Sequence, residues 1–260
     1  VTALRAGRRQ VNEHAWDLRT GVHLRSSFYD VPSVRAGRCT LGERELSLAG
    51  DVTGVRLLHL QCHFGLDTLS WARRGALATG VDFSQTGVAE ARALSAELDV
   101  PAVFHRADVQ DLPAGLTGFD LAVASYGVMC WLDDLSAWAS SVHGALRPGG
   151  RFLLVEFHPL LELALPGSVS GHGSYFGVPD PPPTTTSGTY TDRDAPISYE
   201  EYRWQHPVGD VVNALVGAGL ELTSLGEHPD SPVPLFDQGL EGSPFALAPR
   251  TYSITARRKP

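Results

Sequence analysis

Apolar residues follow two rhythms along this chain. Over residues 1–54, Trp16, Leu18, Val22, Leu24 and Phe28 recur at loose helical spacing, which predicts a helical lead-in packed over a sheet rather than joined to it. From residue 55 the pattern changes to short continuous apolar runs alternating with helix-length segments. Strands are predicted at 56–60, 77–81, 102–105, 119–125 and 151–157, and helices at 67–74, 85–98 and 135–146. Such alternation predicts a mostly parallel sheet, because right-handed crossovers place helices on both of its faces. Arg147-Pro-Gly-Gly150 is a helix stop and turn ahead of the fifth strand.

The alternation pauses over 158–206. This stretch holds Pro179-Asp-Pro-Pro-Pro183, a Thr/Ser run and the aromatic Tyr199-Glu-Glu-Tyr-Arg-Trp204, and is expected to be a lid inserted into the layered core. Beyond it come a helix at 208–216, ended by Gly217-Ala-Gly219, and strands at 220–225 and 251–256. These last two strands are joined through the Pro- and Gly-rich 229–249 and are expected to form an antiparallel edge. The full expectation is an α/β, doubly wound, mostly parallel seven-stranded sheet, with a cap at 1–54, a main domain at 55–260 and the lid within it. No internal repeat is present.

Composition narrows the partners. With 260 residues, 43% hydrophobic and 19% charged, the chain can bury a sizeable core. Lys+Arg 21 against Asp+Glu 29 gives a net charge of −8, which disfavours a phosphate-backbone partner. Cys39, Cys62 and Cys130 are odd in number and lack paired zinc spacing, so neither a metal site nor a disulfide framework is expected. Residues 1–10 carry arginines without an apolar signal core, and no apolar run reaches bilayer thickness. The expectation is a cytoplasmic protein acting on a small molecule, away from membranes and of undetermined oligomeric state.

The chemistry concentrates at the ends of the predicted strands. The first strand breaks at a tight turn and enters a helix, and the second ends at Asp82, about 20 residues on, where a carboxylate accepts both hydroxyls of a ribose. In order along the chain stand His59-Leu-Gln-Cys-His-Phe-Gly65, Val81-Asp-Phe-Ser84, Ala107-Asp-Val109, Phe119-Asp-Leu-Ala-Val-Ala-Ser125 and Leu146-Arg-Pro-Gly-Gly-Arg-Phe-Leu-Leu154. This ordered set resembles class I S-adenosylmethionine-dependent methyltransferases, strongly over 55–157 and more weakly over the last strand pair. The resemblance implies S-adenosylmethionine as cofactor, with Gln61, Cys62, His63, Gly65, Asp82, Phe83, Ser84, Asp108, Val109, Ser125 and Tyr126 around it. Families of this kind commonly carry several glycines in the first motif, where this chain has Gln61, Cys62 and His63. Their loss leaves less room for a pyrophosphate than for a methionine tail, favouring S-adenosylmethionine over NAD.

Each of these residues also has a plainer reading. The plainer reading of Asp82 is an incidental strand-end acid, against which its position and neighbours favour the ribose acceptor; Asp108 suits the adenine amino group or a cap for the following turn. Asp67 reads as a cap or solvent-facing first-turn acid. Tyr126 faces cofactor and substrate in the functional reading, while Met129 and Trp131 read as packing or pocket wall. His158, just past the fifth strand, is the first candidate for removing a proton from the acceptor, or else a loop residue bonded to backbone. His206 is the reserve base, or a cap for the helix starting at Pro207. Trp16, His23, Phe28 and Tyr29 are candidates to close over the cofactor; core packing alone also explains the aromatics, and a histidine such as His23 is more often a solvated residue than a catalyst. The implied activity is methyl transfer to an O, N or C nucleophile of a small molecule, with an indole- or phenol-like specialised metabolite favoured. The alternatives are a nicotinamide-dependent oxidoreductase and a non-methylating S-adenosylmethionine binder or cyclase.

Overall fold

The computed structural model describes residues 3–164, 174–233 and 245–260. It contains one seven-stranded sheet with the order β3-β2-β1-β4-β5-β9-β8 and a separate two-stranded sheet, β6-β7. The strands are β1 (Arg56–Leu60), β2 (Leu77–Asp82), β3 (Val103–Arg106), β4 (Phe119–Ser125), β5 (Leu146–Phe157), β6 (Thr184–Ser187), β7 (Ser198–Glu201), β8 (Leu220–His228) and β9 (Thr251–Arg258). The helices are α1 (Ala3–His23), α2 (Val31–Arg35), α3 (Glu43–Ala49), α4 (Leu66–Arg73), α5 (Gln85–Glu97), α6 (Leu135–Ala145), α7 (Leu161–Ala164) and α8 (Val208–Gly217). The fold class is therefore the one expected, a mostly parallel α/β sheet with an antiparallel edge, and β9 lies between β5 and β8.

The chain divides into two compact units, residues 1–113 with 183–202 and residues 114–182 with 203–260. In the first unit β1 is flanked by parallel β2, and β2 by parallel β3. Leu57, Leu58 and Leu60 are all fully buried, as expected of a parallel strand covered on both faces. Gly65 caps α4 with φ 84°, and a Cβ there would lie 2.8 Å from both the Ala91 side chain and the Phe104 ring. The glycine thus allows the left-handed turn and the close seating of the α4 start at once. Helix α5 starts where the Ser84 hydroxyl accepts the Gly87 amide at 2.9 Å.

Helix α1 packs against α5 and β7. Its hold on β7 is polar: the Arg19 Nε donates to the Tyr199 hydroxyl at 2.7 Å, and its guanidinium pairs with Glu201, both side chains being 2% exposed. Thr186 donates to the other Glu201 oxygen at 2.9 Å. A buried pair of this kind is costly to break on one side only, which makes it a clamp between the lead-in and the β6-β7 hairpin.

In the second unit β4 and β5 are parallel and β5, β9 and β8 antiparallel. Asp134 caps α6 through the Ala137 amide at 2.9 Å, and Trp138 on that helix packs edge-on against Phe152 of β5 at 5.6 Å. The expected turn at 147–150 is a bulge inside β5, which starts at Leu146; the register jumps so that Phe119 faces Leu146 while Leu121 faces Arg151. Within the predicted lid, the described residues contain α7 and the β6-β7 hairpin. No described helix is long and apolar enough to cross a membrane, and no group of three or more metal-ligating side chains occurs among the described residues.

Candidate functional site

In the first unit, three successive strand ends carry the predicted cofactor residues. At the end of β2, Asp82 is 6% exposed and accepts two backbone amides, His63 N–H on Oδ2 and Ser84 N–H on Oδ1, both at 2.8 Å. Burial pushes its carboxyl up to about 6, against the pull of those amides. Each oxygen keeps acceptor capacity, so the group fits a pair of ribose hydroxyls. The turn after β1 is tight: Gln61 and His63 take positive φ values of 53° and 52°, and the Cys62 amide extends the ladder to the Val81 carbonyl at 3.0 Å. The Cys62 thiol is buried, its pKa is raised by that burial, and it behaves as a small apolar side chain.

Ser84 is buried and engaged: besides capping α5, its hydroxyl donates to Asp17 at 2.6 Å, and the same Asp17 oxygen accepts the Thr86 amide at 2.9 Å. Asp17 was not visible as a site residue from sequence, since an acid in mid-helix carries no local signal of a partner 67 residues away. Phe83 is half-buried, with its carbonyl bonded by Arg106 at 3.3 Å. At the end of β3, Asp108 takes the capping role: Oδ1 accepts the Gln110 amide at 2.8 Å, closing the turn, and Oδ2 lies 2.6 Å from the Arg9 guanidinium. Val109 beside it is buried.

Two expectations in this unit are corrected. His23 is fully buried rather than solvated; its Nδ1 lies 2.9 Å from Nε2 of His63, and its pKa is lowered to about 3 by burial and then by nearby Arg19. Trp16, Tyr29 and Tyr190 pack around this pair with ring centroids 4.7–6.0 Å from the imidazoles. Asp67 is half-buried and takes the Thr40 hydroxyl, and burial raises its pKa, so it does not face solvent.

In the second unit, the loop after β4 is held by an acid whose role the sequence reading did not see. Glu156 is 4% exposed and accepts the amides of Gly127, Val128, Met129 and Phe157. Its four bonds satisfy the polar groups of a short turn that starts at Tyr126, whose φ is 43°. Ser125 and Tyr126 stand at that strand end half-buried, the Tyr126 ring lying 5.5 Å from Phe157. Met129 is buried as packing. Trp131 donates to the Gly127 carbonyl at 2.9 Å and carries the Arg203 guanidinium over its ring.

The two candidate bases differ. His158 is buried, its Nδ1 accepting the Leu160 amide at 3.2 Å and its Nε2 facing Glu227 Oε1 at 2.8 Å, so both ring nitrogens are engaged. His206 does not cap α8, whose N-cap is Pro207 without a side-chain bond. Its Nε2 instead donates to the Leu132 carbonyl at 2.8 Å, which leaves Nδ1 as the bare nitrogen of a neutral ring. Burial lowers the pKa of both histidines.

Residues 57–150 match the profile of a methyltransferase domain. A ubiquinone biosynthesis O-methyltransferase of Methylobacterium sp. is 31% identical over 116 residues, covering 45% of this chain and 44% of that protein. The chain thus spans about half the length of the curated relatives it matches. Among solved structures, an S-adenosylmethionine-dependent methyltransferase from Mesorhizobium loti superposes with a TM-score of 0.56 at 24% identity, covering 82% of this chain and 94% of that one. The [4+2]-cyclase SpnF superposes with a TM-score of 0.62 at 19% identity, covering 97% and 96%. The matched domain and the seven-stranded sheet together show that residues 57–150 of this chain carry a methyltransferase domain, in a fold shared with S-adenosylmethionine-dependent methyltransferases.

Proposed function

We propose that this chain transfers the methyl group of S-adenosylmethionine to an O, N or C nucleophile of a small organic molecule. The observation that carries this reading is Asp82: a buried carboxylate at the second strand end, its two oxygens fixed by amides from the turn and from α5, with acceptor capacity left for two hydroxyls. Asp108 is read as the partner of the adenine end, with Val109 as an apolar wall. When bound, the sulfonium cofactor supplies the electrophilic methyl. The protein then contributes alignment and exclusion of water, and a proton acceptor only where the nucleophile carries a proton.

For that acceptor we favour His206 over His158. His206 is a neutral ring whose tautomer is set by a backbone carbonyl, with Nδ1 as the basic nitrogen. His158, engaged at both nitrogens, is read as holding the turn after β5. An indole- or phenol-like acceptor remains our choice of substrate class; the relatives named for ubiquinone biosynthesis O-methylation and the aromatic segment 199–204 support it. We place the activity in the cytoplasm, in keeping with three free cysteines.

A second reading has one observation behind it: the SpnF superposition covers nearly the whole chain, and a fold does not set its chemistry. Calorimetry and product mass separate the cases. The proposal expects S-adenosylhomocysteine to bind, NAD not to bind, and an aromatic acceptor to gain the mass of one methyl group. Tight NAD binding without a response to S-adenosylhomocysteine would overturn the cofactor assignment, and an isomerised product of unchanged mass would favour the cyclase.

A further inference from the structure

Residues 203–206 carry a cation that methyl transfer by itself gives no task. Arg203 is half-buried, and its guanidinium lies over the Trp131 ring, 4.9 Å from the centroid. Trp131 is fixed to the loop after β4: its indole N–H donates to the Gly127 carbonyl at 2.9 Å, and the Gly127 amide is held by Glu156. The segment does not depend on the stack for its place. The Trp204 amide donates to the Cys130 carbonyl at 2.9 Å and His206 Nε2 to the Leu132 carbonyl at 2.8 Å, so residues 203–206 are bonded alongside residues 130–132 through two other contacts.

The segment therefore has two poles. Arg203 supplies the positive one. At His206 the neighbouring charges are negative, because Asp133 and Asp210 both act on its ring. Cα atoms three residues apart are separated by at most about 11 Å, a span comparable with one substituted aromatic ring and its hydrogen-bonding groups. A ligand that reaches both poles offers its O–H or N–H to the bare Nδ1 of His206 and an anion to Arg203; turned round, its anion would meet two carboxylates. A guanidinium laid on an aromatic face keeps its N–H donors in its own plane, as the fork that matches a carboxylate. In a chain of net charge −8 the general field repels anions, so only a local cation of this kind draws an anionic acceptor in. On the reading given under Proposed function, we propose that Arg203, seated on Trp131, is a specificity residue that selects acceptors carrying a carboxylate at the end of the ring opposite the methylated nucleophile.

The test compares probes of one shape that differ in charge: para-hydroxybenzoate against para-hydroxybenzamide, and indoleacetate against indoleacetamide. Calorimetry at neutral pH, with the protein saturated by S-adenosylhomocysteine, is run on the wild type and on Arg203→Met, which keeps an apolar stem over Trp131 and removes the charge. The wild type is expected to bind the carboxylate of at least one pair about tenfold or more tighter than its carboxamide. In Arg203→Met that preference should fall to within about threefold, with the affinities for the carboxamide and for S-adenosylhomocysteine each within about threefold of the wild type. Should the Met variant not fold, Arg203→Gln, polar but uncharged, gives the same comparison. A carboxamide bound as tightly as its carboxylate in both pairs, or no binding of either carboxylate, would overturn the proposal while the cofactor reading stands. Equal weakening of carboxylate and carboxamide in the variant would make the stack a structural contact only, and a preference that survives loss of the charge would place the anion elsewhere; both overturn it. A wild type that does not bind S-adenosylhomocysteine would remove the methyl-transfer reading, and the acceptor assignment with it.

Discussion

Replacing Asp82 by Asn should separate folding from cofactor capture. The carboxyl is raised from its ordinary 3.8 to about 6 by burial. At about 1.4 kcal/mol per pH unit that interval corresponds to about 3 kcal/mol. The sign follows from proton binding: between these two pH values the folded state holds a proton that the unfolded chain has released, so stability falls as pH rises from about 4 to about 6 and then levels off. At neutral pH the charged Asp82 therefore costs the fold about 3 kcal/mol. Asn removes this cost but offers only one acceptor to the two amides of His63 and Ser84, a mismatch worth about 1–3 kcal/mol. The variant should consequently fold with a stability at pH 7 between equal to the wild type and about 2 kcal/mol above it, and it should lack the wild type's loss of stability between pH 4 and 6. Its affinity for S-adenosylhomocysteine should fall by about 2–4 kcal/mol, or roughly 30- to 1000-fold, through loss of charge-assisted bonds to the ribose. Urea denaturation across pH 4–8 and calorimetry at pH 7 provide both quantities. A pH-stability slope identical in wild type and variant would refute the argument about burial, and unchanged affinity in a folded variant would remove the ribose contact.

The two histidines should fail differently: His206→Gln is expected to lower turnover of a proton-bearing acceptor by roughly 100-fold with cofactor affinity unaffected, while His158→Gln costs stability, about 1–3 kcal/mol. Near-normal turnover of His206→Gln across neutral pH would exclude a base at that position. Glu156→Gln, which puts an amide N–H₂ among four backbone donors, should cost about 2–4 kcal/mol in chemical denaturation, and a loss below 0.5 kcal/mol, roughly the scale of a surface substitution, would show that the loop does not depend on it. Arg19→Met leaves Glu201 buried without its cation and should destabilise by about 3–5 kcal/mol, partly restored in Arg19→Met/Glu201→Met; hydrogen exchange at 198–201 should accelerate in the single variant, and unaltered exchange would argue against the clamp.

What the sequence determined by itself is the layered core and the location of its chemistry. Continuous apolar runs such as Leu57–Leu60 encode a strand buried on both faces, and the turn residues after them mark the strand ends, because both signals depend on neighbours within a few positions. Asp82 was legible for that reason: its position relative to the first turn is local. Pairings between distant segments are not, since a side chain carries no record of which polar partner close packing will bring to it. Only the tertiary structure joined His23 to His63 across 40 positions, Asp17 to Ser84 across 67, and Arg19 to Glu201 across 182. It likewise turned Glu156 into the anchor of the β4 loop and bonded His206 to the Leu132 carbonyl instead of to the helix that follows it. The local pattern decides which face of each element leaves water; the need of every polar group so buried to find a partner is met only in three dimensions.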